Sequence, residues 1–409
     1  MICGKSELCI FDRPAPQVVI DNASFEDVFP MNSIKDSKSD IEFFINGSSS
    51  EYLDLNDTLF YISVKFTDGE KKDLVEAADV KPSNYLFHSL FKDVILALNT
   101  TRIEGGNGTY AQKAIIETIL NYDTDNKNTC LTSLGYYSLE KDRKSSIAKS
   151  KTVSLCSSLQ LDFLDQPKYL IPGVNVHIRI KRNEFKFCIE TADNKLLPRY
   201  EILDAKLMVR RVRVDSTVTM GHEIGLKKQN AVYPIRKKET VAFALPKDSS
   251  SFYKEQIFGD RRLPNFILVT FQSLAALDGD YAQKGWSFEH FDVNFLSLSR
   301  NTDFRETYIQ NFEKDDYTTS YTQSIIRNMG YLDKNINCGI TLSDFKSMYP
   351  FFTFVLAPDF DLSQCQLPKQ GNLRLDIKFA KPLPSGIYVI IYGVFESEIQ
   401  ITSNRTIIV

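Results

Sequence analysis

The clearest pattern of hydrophobic and polar positions lies between residues 373 and 401. Within 373–379 every second residue is apolar and the residues between them are charged, which is the side-chain repeat of a β-strand. Two prolines and a glycine at 382–386 interrupt this pattern, because proline lacks the N–H group that a strand ladder needs. Val, Ile, Tyr and Phe, which favour strands, then dominate 387–401. The pattern predicts two long strands of an antiparallel β-sandwich.

Similar patterns recur along both halves of the chain. The strands predicted in the first half are 41–45, 59–66, 93–99, 152–163 and 173–182. Those predicted in the second half are 200–214, 240–245, 266–272, 287–299, 351–356, 372–379 and 387–401. Apolar spacings of three and four predict one helix in each half, at 110–122 and at about 317–329, the second with Gly330 as its C-terminal cap. Two consecutive β-sandwiches with helical insertions are the expected architecture.

The boundary between the two sandwiches is expected in the polar stretch 190–198. This stretch follows one predicted strand and precedes another, as linkers between domains do. Residues 1–40 have little periodicity and contain three prolines, so we expect an N-terminal arm. The predicted domains are therefore an arm at 1–40, a first sandwich at 41–192 and a second sandwich at 193–409.

Length, charge and cysteine content restrict the class of protein. A chain of 409 residues can bury two cores of ordinary size, and its net charge of −3 does not favour non-specific nucleic-acid binding. We expect no secretory signal at the N-terminus and no transmembrane segment, because no apolar run approaches about 20 residues. The seven cysteines include no CxxC pair, which argues against zinc modules and a disulfide framework. Synthesis in the cytoplasm or nucleus, with reduced thiols, is expected.

Candidate catalytic groups are few. The four histidines, His88, His177, His222 and His290, show no metal-ligand spacing. Gly221-His222-Glu223 allows a catalytic loop, but a polar turn between strands is the favoured interpretation. The acid pairs Asp315-Asp316 and Asp359/Asp361 have no evident partner for acid–base chemistry, and hydrolase and nucleotide-loop motifs are absent. We therefore expect no catalytic, cofactor-binding or metal-binding residue, and no enzymatic activity.

Two further stretches invite a binding interpretation. Gly105-Gly106-Asn107-Gly108 precedes the first predicted helix and could hold an anion, but it lacks the lysine and hydroxyl of a nucleotide loop; a flexible linker is expected. A basic stretch at 206–238, followed by Arg261-Arg262, suggests nucleic acid, an acidic partner or subunit contacts. We favour an outward strand face balanced by acidic residues, since aromatic residues do not interleave with the basic ones. Sequence-specific nucleic-acid binding is not expected.

Several short sequence blocks occur in a characteristic order along nearly the whole chain. They are FDRPAPQ at Phe11–Gln17, YLDL at Tyr52–Leu55, LFHSLFKDVILALN at Leu86–Asn99, TYAQKAIIETILNY at Thr109–Tyr122, YPIRKKE at Tyr233–Glu239 and KQGNLRLDIKFAKPLP at Lys369–Pro384. In these blocks the chain resembles the major capsid protein of Maverick/Polinton-type elements and adintoviruses, within the double jelly-roll capsid lineage. The chain is somewhat short for that lineage, which suggests compact outer loops.

The resemblance implies a mainly β fold of two consecutive antiparallel eight-stranded jelly-roll sandwiches, a double jelly roll with short helical insertions. It implies a structural role in a virion: three copies would form a homotrimeric, pseudo-hexagonal capsomer that tiles an icosahedral shell. The implied partners are the chain itself, neighbouring trimers and a single jelly-roll penton protein. The family carries no catalytic residues.

Two other classes of function remain open from the residues alone. One is a non-enzymatic carbohydrate- or ligand-binding β-sandwich. The chain has a single tryptophan, Trp286, and this disfavours a site in which aromatic rings stack on sugars. The other is a metal-dependent enzyme on a jelly roll, which the histidine spacing disfavours.

Overall fold

A computed structural model describes most of the chain. The described residues are 17–35, 39–76, 78–137, 139–193, 195–259, 261–301, 304–327, 338–357 and 369–409. The arm motif before Gln17, the pair Asp359/Asp361 and the predicted helix end at 328–330 lie outside these ranges.

β-Strands are the main regular structure of the described chain. The strands are β1 Ile20–Val28, β2 Ile41–Ile45, β3 Glu51–Thr67, β4 Val80–Pro82, β5 Phe91–Leu98, β6 Thr101–Glu104, β7 Val153–Ser157, β8 Val176–Arg182, β9 Ile189–Thr191, β10 Arg199–Val214, β11 Ala231–Leu245, β12 Ser251–Glu255, β13 Phe266–Ser273, β14 Val293–Arg300, β15 Phe304–Ile309, β16 Phe352–Val355, β17 Leu373–Phe379, β18 Ile387–Ile401 and β19 Ile407–Ile408.

The helices are short and lie between strands. They are α1 Leu86–Ser89, α2 Tyr110–Asn121, α3 Thr124–Asn128, α4 Glu140–Ser146, α5 Phe185–Cys188, α6 Ser216–Leu226, α7 Leu274–Asp278, α8 Thr318–Tyr321 and α9 Leu342–Ser347, with 3₁₀ turns at Cys130–Leu134 and Ala148–Ser150. A π-helical stretch, Thr322–Arg327, continues α8, so the helix predicted from 317 is only partly α-helical.

The first sandwich consists of two four-stranded antiparallel sheets. Their strand orders are β1-β10-β3-β7 and β2-β8-β5-β6, and β4 and β9 form a small separate ladder. Along the chain the strands alternate between the sheets in the order first, second, first, second, second, first, second, first. This order is the jelly-roll topology, in which hairpin-like connections wrap the strands around one core.

The second sandwich repeats this topology strand for strand. Its sheets have the orders β11-β18-β13-β16 and β12-β17-β14-β15, with β19 added beside β18. The strands again alternate between the sheets in the same order along the chain. The predicted fold class, a mainly β double jelly roll of two eight-stranded sandwiches with helical insertions, is confirmed.

The strand pairing bears on where one sandwich ends and the next begins. β10 lies between β1 and β3, with Val212 opposite Ala23 and Tyr52, so it is a central strand of the first sandwich. Residues 20–28, which were predicted within the arm, form an edge strand of that sandwich. We therefore propose that the sandwiches meet at α6, between β10 and β11, rather than at residue 192.

Each sandwich is held by apolar residues that point between its sheets. In the first, the ring of Phe60 contacts Phe43, Phe87 and Phe91 at centroid distances of 5.6–5.8 Å. In the second, Phe271 contacts Phe352 and Phe379. Edge-to-face packing of this kind adds about 0.5–1.5 kcal/mol per pair to the burial of the rings themselves.

Candidate functional site

A buried cluster of charged side chains joins the two sandwiches. Lys113, on α2 of the first sandwich, is 6% exposed; its ammonium group contacts the carboxylate of Glu104 and lies 2.8 Å from Asp162 Oδ1. Lys238, on β11 of the second sandwich, places its Nζ 3.2 Å from Glu117 Oε2. Its backbone N–H donates to Asp162 Oδ2 at 2.8 Å. These five residues, the junction cluster, fix α2 against β11.

Burial and mutual attraction shift the pKa values in the junction cluster. Burial raises the pKa of Glu104 to about 7, although the charge of Lys113 opposes the shift. Burial also raises the pKa of Glu117, against the opposing effect of Lys113 and Lys238. Burial favours neutral Lys113, but the carboxylates of Asp162, Glu104 and Glu117 outweigh it and raise the pKa of Lys113 well above its usual value. Lys113 therefore stays charged, and its ammonium group is shared between the carboxyl groups of the cluster.

Ionisation of Glu104 should make the stability of the protein depend on pH. The pKa of Glu104 is higher in the folded chain than in the unfolded chain, so the folded state binds the proton more tightly and loses stability as the pH rises towards about 7. Glu104→Gln carries no charge at this position, so its stability should not show this loss. We expect the difference in unfolding free energy between Glu104→Gln and the native protein to grow in favour of the variant by up to about 3 kcal/mol as the pH rises from about 5 to about 8. Urea unfolding of both proteins across this range measures the difference.

The control for this effect is Glu140→Gln. A hydrogen bond from Lys81 lowers the pKa of Glu140, so its ionisation lies below the tested range. A difference between native and Glu104→Gln proteins that stays constant with pH would contradict the prediction.

A second contact between the sandwiches is centred on Trp286. Its indole N–H donates to Ser89 Oγ at 2.9 Å, and its ring meets Phe187 edge-on at 5.0 Å. Nearby, Tyr281 donates to the carbonyl oxygen of Pro198 at 2.9 Å. The only tryptophan of the chain thus packs within the molecule, and its position gives no support to sugar stacking.

The four-residue sequence YAQK occurs twice in the chain, at 110–113 and at 281–284, and its two copies have different conformations. Tyr110-Ala111-Gln112-Lys113 forms the first turn of α2, whereas the copy that begins at Tyr281 lies between α7 and β14 outside any helix. The two copies are therefore not equivalent positions of a structural duplication. The shared strand order of the sandwiches is the real internal symmetry.

A groove follows α6 on the surface where β10 leads into β11. The groove has a volume of about 850 Å³ and is lined by residues 17–20, by one face of α6 and by residues 229–233. Buried Tyr52 lies in its floor, with Oη 2.6 Å from His222 Nδ1. Gly221-His222-Glu223 is thus part of helix α6, and the expectation of a polar turn there was wrong. Glu223 forms an ion pair with Arg405.

The four histidines lie in four separate places. His88 is fully buried beside the hydroxyl of Tyr110, and burial lowers its pKa to about 3. His177 contacts Glu42 on the neighbouring strand, and His290 stacks on Phe312. No group of three or more His, Cys, Asp or Glu side chains with a geometry suited to a metal ion occurs within the described ranges.

The basic stretch is largely neutralised within the chain. On β10, Lys206 pairs with Asp27 at 2.7 Å, Arg210 with Asp54 and Asp57, and Arg211 and Arg213 with Glu51. On β11, Arg236 and Lys237 pair with Glu396 and Glu239, while Lys238 belongs to the junction cluster. This arrangement agrees with the favoured interpretation of an outward strand face balanced by acidic residues.

The glycine-rich loop before α2 is a packed turn. Gly105, Gly106 and Gly108 all have positive φ angles, and a Cβ on Gly105 would lie 2.1 Å from the carbonyl oxygen of Val94. The N–H of Gly106 donates to Asp93 Oδ1 at 3.0 Å. The expectation of a flexible linker was therefore wrong, because the turn depends on close contact between backbones that only glycine permits.

The acid pair Asp315-Asp316, which lies in the described ranges, makes contacts with neighbouring residues of the same chain. Asp315 pairs with Lys346 at 2.5 Å on the surface, and the backbone of Asp316 forms hydrogen bonds with that of Asn311.

Cys130, Cys156, Cys188 and Cys338 are free thiols. None of the helices in the described part of the chain is long and apolar enough to cross a membrane.

An apolar strip is exposed along the first edge strand and the residues beside it. Phe25 is 59% exposed on β1, and Val18, Val19, Phe29 and Met31 are also exposed. β1 pairs with β10 on one side and, among the described strands, with none on the other. A free strand edge beside exposed apolar side chains is typical of a surface that another subunit covers.

The fold is that of viral double jelly-roll capsid proteins. The chain matches a protein of the PBCV-1 virus capsid with a TM-score of 0.59 at 12% sequence identity, covering 97% of this chain and 98% of that one. It matches the mavirus major capsid protein with a TM-score of 0.52 at 9% identity, covering 97% and 92%. It matches the Faustovirus major capsid protein with a TM-score of 0.58 at 8% identity, covering 97% of this chain and 93% of that one.

The sequence itself has a full-length relative. An uncharacterized protein of Caenorhabditis elegans is 23% identical over 423 residues, which cover 97% of this chain and 99% of the relative. No family model matches the chain.

Proposed function

We propose that this chain is the structural major capsid protein of a virus or virus-like element. The observation that carries the proposal is the presence of two complete jelly rolls with identical strand order in one chain, matched over 97% of its length by viral major capsid proteins. The order of the six sequence blocks supports placement in the Maverick/Polinton and adintovirus group. The protein acts without enzymatic chemistry, in the capsid of the virion.

The capsomer we propose is a homotrimer. Three chains with two sandwiches each present six similar walls, which is the geometry needed to tile a hexagonal lattice on an icosahedral shell. The junction cluster and the Trp286 contact support this role, because they fix the two sandwiches of each chain in one relative orientation. The exposed strip on β1 offers apolar area for subunit contact, and a single jelly-roll penton protein would fill the vertices. Sequence-specific recognition of nucleic acid has no part in this role.

Native mass of the purified protein, with negative-stain imaging of the same sample, tests the proposal. We expect a mass of three chains and pseudo-hexagonal particles. Phe29→Asp should reduce the mass to one chain, because it places a charge in the apolar strip, where burial without a partner is costly. The control, Val75→Asp, changes an exposed apolar residue outside the strip and should keep the trimer.

A native protein that stays monomeric at high concentration would contradict the capsomer proposal. In that case glycan-array binding would test the carbohydrate-binding alternative.

A further inference from the structure

A small pocket lies between the two sandwiches, next to the Trp286 contact. Its lining includes Tyr85, Ile115 and Ile119 of the first sandwich and Trp286 and Tyr349 of the second. Its volume of about 170 Å³ is close to that of an apolar cavity of roughly 150 Å³ that holds one benzene molecule. This pocket, the Tyr85 pocket, is therefore large enough for a single aromatic ring.

The walls of the Tyr85 pocket are suited to a flat apolar molecule. Ile115 and Ile119 are each 1% exposed and lie one turn apart on α2, so their side chains share one helix face. Trp286 lines the pocket too, and its indole N–H is already bonded to Ser89 Oγ. The indole therefore offers only its ring to a ligand, and aromatic rings pack well against such a surface.

One buried hydroxyl group in this lining has no hydrogen-bond partner. Tyr85 is 2% exposed, and its Oη forms no hydrogen bond with any described residue. Its ring is held by contact with Tyr136 at a centroid distance of 4.6 Å. Burial raises the pKa of Tyr85 well above its usual value, so the hydroxyl keeps its proton and can donate it. A buried donor without an acceptor costs stability, and an oxygen atom in the pocket would remove that cost.

The charged groups around the pocket are matched within the protein. Arg143 Nη1 lies 2.8 Å from Glu190 Oε1. Lys81 contacts Glu140 and places its Nζ 3.8 Å from Glu190 Oε2. Lys284, which also lines the pocket, is exposed and is therefore solvated by water. A ligand needs no charge of its own, because no buried charge among these residues lacks a counter-ion.

We propose that the Tyr85 pocket binds a small, uncharged aromatic molecule whose oxygen atom accepts a hydrogen bond from Tyr85. The ring would contact the apolar walls, and the oxygen would give the Tyr85 hydroxyl its acceptor. A water molecule also supplies an acceptor, but it leaves the apolar side chains without close contacts. The ligand would touch both sandwiches, so its binding would stabilise their junction. This site does not depend on capsid assembly.

Trp286 makes binding measurable, because the single tryptophan of the chain lines the pocket and its fluorescence responds to a ligand there. Phenol and toluene are matched probes: both are single rings of the same size, but only phenol has an oxygen atom. We expect each probe to change the emission of the full-length protein saturably, with a dissociation constant of about 1 mM or lower. An emission that shows no saturable change with either probe would overturn the proposal.

Two tyrosine substitutions test the hydrogen bond. Tyr85→Phe removes a hydroxyl that has no partner in the protein, so the variant should fold as the native protein does. It should lower the ratio of phenol affinity to toluene affinity about fivefold, the factor expected for one hydrogen bond between neutral groups. The control, Tyr253→Phe, changes an exposed tyrosine outside the pocket and should leave the ratio unchanged. An unchanged ratio in Tyr85→Phe would contradict the assignment of the ligand oxygen to this hydroxyl.

A third variant tests the location of the site. Ile119→Phe places a ring of the protein itself in the Tyr85 pocket and should abolish saturable binding of both probes. Binding that persists in a folded Ile119→Phe protein would mean that the probes bind elsewhere and would overturn the proposal. Should this variant fail to fold, the comparison of Tyr85→Phe with Tyr253→Phe still decides the matter, because neither change adds volume to the core.

Discussion

Replacement of Lys113 by methionine is expected to lower the free energy of unfolding by about 3–5 kcal/mol, because it leaves buried carboxylates without their cation. Lys113 is the only ammonium group that contacts both Glu104 and Asp162 within the described residues, and methionine has a similar length but no charge. Urea unfolding, followed by circular dichroism, measures the change.

The pH dependence of this loss distinguishes a charge effect from a packing effect. Without Lys113 the pKa of Glu104 should rise further above about 7, so the carboxyl group can take up a proton in acid. We therefore expect a smaller loss of stability at pH 5 than at pH 8. Lys113→Met combined with Glu104→Gln should recover part of the loss, since the two changes act on one interaction.

The control is Lys346→Met, which removes an ammonium group from an exposed pair with Asp315. Water and salt screen this pair, so its removal should change stability far less. Equal effects of the two lysine substitutions would show that the junction cluster does not hold the sandwiches together.

Replacement of Gly105 by alanine is the second change with a large expected effect. Gly105 has a φ of +87°, and an added Cβ would lie 2.1 Å from the carbonyl oxygen of Val94 and 2.8 Å from Cα of Ile95. Both neighbours belong to strand β5 and cannot move aside as a flexible side chain would. Backbone strain and displacement of the strand should together cost about 2–4 kcal/mol of stability.

Gly221→Ala provides the matched comparison for Gly105→Ala. Gly221 lies within α6, and an added Cβ there meets no atom within 4 Å. Alanine is the better helix former, so this variant should be as stable as the native protein or more stable by up to about 1 kcal/mol. Thermal unfolding of the two variants side by side measures the contrast. Similar unfolding temperatures would mean that the turn at Gly105 can relax.

Sequence periodicity predicted the strands that have one buried and one exposed face. β8 and β17 bury alternate residues, and both were found from their pattern. The strands that were not predicted are β1, β4, β6, β9, β12, β15 and β19. The pattern of β1 is almost wholly exposed, so no apolar alternation marks it as an edge strand. α6 was missed because its glycines and β-branched residues are weak helix formers.

The candidate site was much harder to predict than the fold. Lys113 and Glu117 are four residues apart on α2, a spacing that places them on one helix face. Nothing in the local sequence connects them with Asp162 or with Lys238 on a strand of the other sandwich. The boundary that we propose at α6 has no local sequence signal for the same reason: β10 pairs with residues far earlier in the chain.

The pairing of β1 with β10 also sets the order of events during synthesis. Ile20 on β1 pairs with Val214 on β10. During synthesis β1 can therefore form this pairing only after almost two hundred further residues have left the ribosome. Contacts so distant along the chain form slowly, because a large loop must close before they stabilise anything. During that interval β1 and β3 have no central strand between them, and their open edges can pair with other chains. Rapid translation through β10, or a chaperone that shields these edges, would therefore govern the yield of folded protein.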